Sequence, residues 1–130
     1  MKRLADMLAA AEAEIQTLSV DEASAMLDAE HVTFVDIRDV RELQRDGIIP
    51  GAFHAPRGML EMWIDADSTY AKPVFQTGNR FVFFCAGGLR SALAAQVAQD
   101  MGLDCAHVKG GFGAWKAAGA SVADKPAKKG

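Results

Sequence analysis

The run RFVFFC, residues 80–85, is apolar from its second residue onward and passes through a glycine pair straight into a helical pattern. A strand with no polar alternation must be covered on both faces, which is the situation of a parallel sheet sandwiched by helices. The rest of the chain repeats the arrangement. HVTFVDIR, residues 31–38, is β-branched and aromatic, and DVRELQRDG after it reads as a helix closed by Gly47. A turn at Pro50-Gly51 leads to a short strand at Ala52–His54, and RGMLEMWIDADS then places Leu60 and Ile64 on one helix side. Ser91–Met101 is a helix with Leu93, Val97 and Met101 on one stripe, CAHV (105–108) is a last strand, and GGFGAWKAAG a last helix. Alternation of this kind defines an α/β chain. In such sheets the working groups sit beyond the carboxyl ends of the strands, which is where Cys85 falls.

Ahead of the first long strand, Leu4, Met7, Leu8, Ala11, Ile15 and Leu18 recur at helical spacing. Residues 2–16 therefore read as an amphipathic helix, expected to pack on its own sheet rather than on a second copy. SVDE, Ser19–Glu22, is a capping box opening a helix to about Leu27. Residues 68–79 read as loop and 120–130 as a frayed tail. The chain of 130 residues suits one domain, and its net charge of −3, with both signs interspersed, argues against nucleic-acid and membrane-surface partners. No apolar run has bilayer length, and Asp6, Glu12 and Glu14 interrupt what would be a signal-peptide core. A cytoplasmic protein is expected, with Cys85 and Cys105 as free thiols. His31, His54 and His107 have no metal-ligand spacing to either cysteine, so neither metal nor cofactor is expected.

The chemistry of Cys85 depends on the residues after it. The thiolate is the reactive form of cysteine. A helix N-terminus just past the loop, glycines at 87 and 88 that permit an anion-binding nest, and the fixed charge of Arg90 would all favour negative charge there. That combination suits a nucleophile without a separate base. A core cysteine ending a strand before an ordinary βα turn has the same local sequence.

Three linked motifs separate these readings. CAGGLRS resembles the Cys-x-x-Gly-x-Arg-Ser loop of the rhodanese-like sulfurtransferases. VDIRDVRELQRDGIIPGAFHAP resembles the family's earlier signature, through Asp36, Arg38 and Glu42 and then Ile49–Ala52. GGFGAWKAAG resembles its closing segment through Gly110, Gly111 and Trp115. The resemblance covers roughly residues 17–119, leaving 1–16 as an added N-terminal helix and 120–130 as the tail. It implies a three-layer fold with a central, mainly parallel five-stranded sheet flanked by helices. It also implies a persulfide on Cys85, formed from a donor such as thiosulfate or another persulfide and passed to a thiol, cyanide or a protein acceptor. Ala86, Gly87, Gly88, Leu89, Arg90 and Ser91 would hold that persulfide, with Asp36, Arg38 and Glu42 in support. One departure is Ile48, where the family commonly has histidine.

Other assignments compete. The phosphatase and arsenate-reductase branch of the same fold uses Cys-x5-Arg, whereas Cys85 to Arg90 is one residue shorter and suits a sulfur atom better than a phosphoryl group. Catalytically silent binding modules tend to lose the cysteine, which is kept here. Asp36 and Arg38 read as a structural ion pair, and His54 and Arg57, past a neighbouring strand, as a pocket rim. Trp63, with Met62 beside it, reads as core packing before pocket lid, and Cys105 as an inert buried thiol. Monomer and homodimer both stay open.

Overall fold

The computed structural model describes residues 1–126. Its five strands are β1 (Gln16–Leu18), β2 (Val32–Asp36), β3 (Phe53–His54), β4 (Arg80–Phe84) and β5 (Cys105–Val108). They form one parallel sheet in the order β1-β5-β4-β2-β3. The helices are α1 (Leu4–Glu14), α2 (Val20–Ala25), α3 (Val40–Asp46), α4 (Leu60–Ile64), α5 (Leu89–Asp100) and α6 (Gly111–Ala117). Two short 3-10 turns at Arg57–Met59 and Pro73–Gln76 interrupt the segment between β3 and β4.

Alternation along β4 divides the core in two. Phe81, Phe83 and Cys85 join α1, α4 and α5 on one face, with Val35, Ile37, Leu60, Ile64 and Phe75. Val82 and Phe84 point to the other face, packing with Phe34, Ala106, Val108, Phe112 and Trp115. The expected α/β sandwich is present, and the apolar run at 81–84 is buried on both sides as its sequence demands.

Four expectations change. The first helix, expected over 2–16, stops at Glu14, and Gln16–Leu18 pair with Ala106–Val108 as the fifth strand. Within α1 the buried residue is Ala11, while Leu4 and Met7 are 54% and 43% exposed, because the helix packs on the core from Leu8 onward. On α5 the buried positions are Ser91, Ala92, Ala94, Ala95 and Ala98 rather than the Leu93–Val97–Met101 stripe. Alanines face the sheet on one side and α1 on the other, so two backbones approach α5 closely and no large side chain would fit between them. Gln96 and Gln99 add hydrogen bonds to the Glu14 carboxylate and carbonyl, at 3.0 and 3.1 Å. Finally, the segment after α6 is docked through its first turns. Trp115 Nε1 donates to the Ser121 carbonyl at 2.7 Å, and Ile48 and Ala123 exchange backbone hydrogen bonds at 2.8 and 2.9 Å. The remainder of the expected frayed tail, 127–130, lies outside the described residues.

The SVDE capping box forms as expected, with Ser19 Oγ accepting from Glu22 N–H and the Glu22 carboxylate accepting from Ser19 N–H. Asp39 and Glu42 build a second one at the start of α3.

Candidate active site

Cys85 comes directly after the last residue of β4 and is 1% exposed. The chain then turns through Ala86 and Gly87 to Gly88, whose φ of +99° lets it cap α5. That turn folds the backbone over the sulfur. Gly88 N–H donates to Cys85 Sγ at 3.1 Å and Ser91 N–H at 3.3 Å. Two amides aimed at one sulfur are a small nest, able to stabilise charge that develops there. Of the two glycines expected to supply unusual backbone angles, only Gly88 adopts positive φ.

The loop is held from below by α6. Phe112 N–H donates to the Cys85 carbonyl at 2.7 Å and Gly113 N–H to the Ala86 carbonyl at 3.0 Å. It is held from the side by Arg90, whose two terminal nitrogens donate to both oxygens of Glu42 at 2.7 and 2.9 Å. This bidentate pair, chiefly through its hydrogen bonds, keeps the Glu42 carboxyl below the usual carboxylate range. The same contact first, and Cys85 in lesser part, raises the Arg90 guanidinium above its ordinary value.

Asp36 and Arg38 form the ion pair the sequence suggests, fully buried at the carboxyl end of β2. Arg38 Nη2 reaches Asp36 Oδ2 at 2.7 Å and the Gly47 carbonyl at 2.8 Å, and its guanidinium lies 4.2 Å from the Phe112 ring centroid. The pair ties β2, the end of α3 and α6 together and supports the loop only through them. Asp36, Arg38 and Glu42 thus lie on one side of Cys85 as a bracing system.

A cavity of about 420 Å³ opens on the other side of the loop, between it and the β1–β5 edge. It is lined by Gly87, Gly88 and Leu89 of the loop, by Gly110, and by Glu12, Thr17, His107 and Lys109. His54, Arg57 and Trp63, expected on a pocket rim, do not line this cavity. His54 Nε2 is 2.7 Å from the Arg38 carbonyl oxygen, Arg57 pairs with Glu61 at 2.7 Å, and Trp63 packs edge-on against Phe53 under Lys72. All three belong to β3 or to the segment after it, at the far edge of the sheet from the cavity. Chain order alone sets them next to Cys85, because strand order is invisible in sequence.

His107 is the site residue that sequence reasoning misses. It is 2% exposed, on the same face of β5 as Cys105. Its Nδ1 is 3.1 Å from Ser91 Oγ, and Ser91 Oγ is 3.5 Å from Cys85 Sγ. Its Nε2 is 3.1 Å from Thr17 Oγ1, the residue directly opposite it on β1. Burial pushes the imidazole below its usual range, with Glu12 opposing in part. Cys105 lies apart from this system. Its thiol is 3.2 Å from the Ala95 carbonyl oxygen and burial, with Asp104 in second place, pushes it up to about 11.

Residues 19–118 match the model of the rhodanese-like domain. A mouse (Mus musculus) thiosulfate sulfurtransferase/rhodanese-like domain-containing protein 3 is 29% identical over 100 residues, which is 72% of this chain and 64% of that relative, so the chain spans under two thirds of the relative's length. Among solved structures, a protein of unknown function from Rhodopseudomonas palustris CGA009, called a possible tyrosine phosphatase, superposes with a TM-score of 0.93 at 55% identity, over 95% of this chain and 96% of its own. A thiosulfate sulfurtransferase from Pseudomonas aeruginosa superposes with a TM-score of 0.76 at 25% identity, over 93% of this chain and 22% of its own.

Proposed function

The chain belongs to the rhodanese-like domain family, and on that premise we propose that it is a sulfurtransferase that carries sulfane sulfur as a persulfide on Cys85. The observation that carries the reading is the way donors are shared out around the loop. Cys85 Sγ receives two backbone N–H groups, while the guanidinium fork of Arg90 is engaged with Glu42. A phosphatase needs that fork for the oxygens of a phosphoryl group. A sulfur carrier needs only donors around one sulfur position, and the loop offers those.

In the first half-reaction Cys85 Sγ attacks the outer sulfur of a donor such as thiosulfate. A Cys85 S–S bond forms, the donor's own S–S bond breaks, and sulfite leaves with its electron pair. In the second, the terminal sulfur passes to a thiol, to cyanide or to a protein acceptor. Sγ carries negative charge as the attacking thiolate and again as the leaving group of the second step, and the Gly88 and Ser91 amides face it at both points without reorganising. No helix among the described residues is long and apolar enough to cross a membrane.

Intact mass after incubation of the reduced protein with thiosulfate tests the reading, beside Cys85→Ser. The expected result is a gain of one sulfur that reductant removes and the variant lacks. Absence of any gain with thiosulfate, polysulfide and glutathione persulfide would refute it and leave a non-catalytic binding module. The Rhodopseudomonas neighbour keeps a phosphatase as the second reading. Cys85-dependent release of phenolate from an aryl phosphate, without sulfur loading, would establish it.

A further inference from the structure

We propose that His107 is a positioning residue that moves the Cys85 proton, through Ser91, between the buried sulfur and the cavity. The inference deepens the sulfurtransferase reading and rests on it for the reaction it serves.

Three observations converge. Cys85 Sγ is buried and is not among the groups lining the cavity. The partner its proton faces is the Ser91 hydroxyl. Ser91 Oγ stands 3.5 Å from the sulfur and 3.1 Å from His107 Nδ1, and Ser91 is itself fully buried. His107 is among the residues around the cavity, and the exposed Thr17 stands beyond its Nε2, so the chain Cys85–Ser91–His107–Thr17 ends where solvent begins. Thr17 Oγ1 at 3.1 Å from Nε2 fixes the ring. With Nε2–H donating to Thr17, Nδ1 carries the lone pair and accepts from the Ser91 hydroxyl, which in turn accepts from the thiol.

The groups around the ring fit this role. Glu12 comes from α1, Lys109 stands just after β5 at the cavity wall, Thr17 comes from β1, and Ser91 and Cys85 from the loop and α5. Burial disfavours the imidazolium and Glu12 partly offsets that. The resting ring is therefore neutral and holds a proton only in passing.

During sulfur loading the Cys85 S–H bond breaks as Sγ bonds to the sulfane sulfur. That proton goes to Ser91 Oγ, the proton of Ser91 goes to His107 Nδ1, and the donor's S–S bond breaks with its electron pair leaving on sulfite. The imidazolium then releases its Nε2 proton through the Thr17 hydroxyl, which stands exposed at the cavity, to water. Charge and atoms balance: thiol and thiosulfate dianion become persulfide anion, sulfite dianion and one proton.

The experiment is the rate of sulfur loading from thiosulfate, followed by intact mass between about pH 5.5 and 9 around the imidazole range, for the unaltered chain, His107→Gln, Ser91→Ala and the double variant. The unaltered rate should fall as the pH drops through the ring's titration below 6.5. His107→Gln should lose that inflection and run about 100-fold slower near neutrality, the low end for a placed proton acceptor. Ser91→Ala should give the same profile, and the double variant should be no slower than either single one. A His107→Gln profile matching the unaltered chain, or losses that multiply in the double variant, would overturn the relay. If His107→Gln fails to fold, Ser91→Ala carries the same prediction alone. If the unaltered chain takes sulfur from no donor, the sulfurtransferase reading falls. The relay is then decided by iodoacetamide: the pH profile of Cys85 alkylation must change in both single variants or the relay falls too.

Discussion

Gly111→Ala should break the site from beneath while leaving the sheet intact. Gly111 opens α6 with φ +59°, and a Cβ built there would lie 2.3 Å from the Cys85 carbonyl oxygen and 2.8 Å from the carbonyl carbon and oxygen of Ala86. Ordinary contact needs roughly 3.5 Å, so the loop base or α6 must retreat by about 1 Å. Three costs add. The left-handed backbone costs an alanine about 1–2 kcal/mol. The retreat weakens the hydrogen bonds from Phe112 N–H and Gly113 N–H to those two carbonyls, each contributing about 1 kcal/mol. The total is about 3–4 kcal/mol, which for a domain of this size lowers Tm by about 10 °C. A displacement of about 1 Å in the loop should also slow sulfur loading about 100-fold. The comparison is Gly58→Ala, where an added Cβ meets nothing within 4 Å and should change Tm little. Thermal unfolding by circular dichroism and loading by mass read both effects. A Gly111→Ala protein within about 1 kcal/mol of Gly58→Ala would refute the claim that α6 clamps the loop, since measured substitutions of that size need no special mechanism.

Asp36→Ala should cost about 3–5 kcal/mol in urea unfolding, because Arg38 would be left buried without its counter-charge; a loss under about 1 kcal/mol would show that the pair contributes nothing special. Glu42 has its carboxyl lowered by Arg90, so its contribution is complete above the unfolded value near 4.5 and lost as pH falls through the lower folded value. Glu42→Gln should therefore lose stability at neutral pH and show a flatter decline below pH 4.5 than the unaltered chain, checked by denaturation at stepped pH. The Cys105 thiol, pushed up to about 11, should escape iodoacetamide at pH 8 in the folded protein and react once guanidinium unfolds it, as peptide mass will report.

What the sequence discloses is what local pattern encodes. RFVFFC, HVTFVDIR and the SVDE capping box each carry their own signal, and the Cys85 loop is announced by the residues that build it. The failures are all long-range. Gln16–Leu18 is three residues long, too short for any period, and becomes a strand only because β5 lies beside it. The buried face of α5 carries alanines because a helix covers it as well as the sheet, and no larger apolar stripe marks it. Strand order is long-range in the same way: the cavity beside the Cys85 loop lies toward β1 and β5, and β3, with His54, is at the other edge of the sheet. His107 has one usable signal: alternation along CAHV sets it on the face of Cys105, and a polar side chain in so apolar a strand needs a partner. Naming that partner requires the register.

The strand order has a consequence for synthesis. Of the five strands β1 is made first and β5 last, yet among the described residues β1 pairs with β5 alone. The helix whose amides hold the Cys85 and Ala86 carbonyls is later still. Thr17 therefore waits for His107, and Cys85 waits for Phe112 and Gly113, until β5 and α6 have left the ribosome. Contacts this distant form slowly and late. A nascent chain halted anywhere before α6 carries the thiol without the clamp beneath its loop, so reactivity at Cys85 arrives with completion of the fold and not before it.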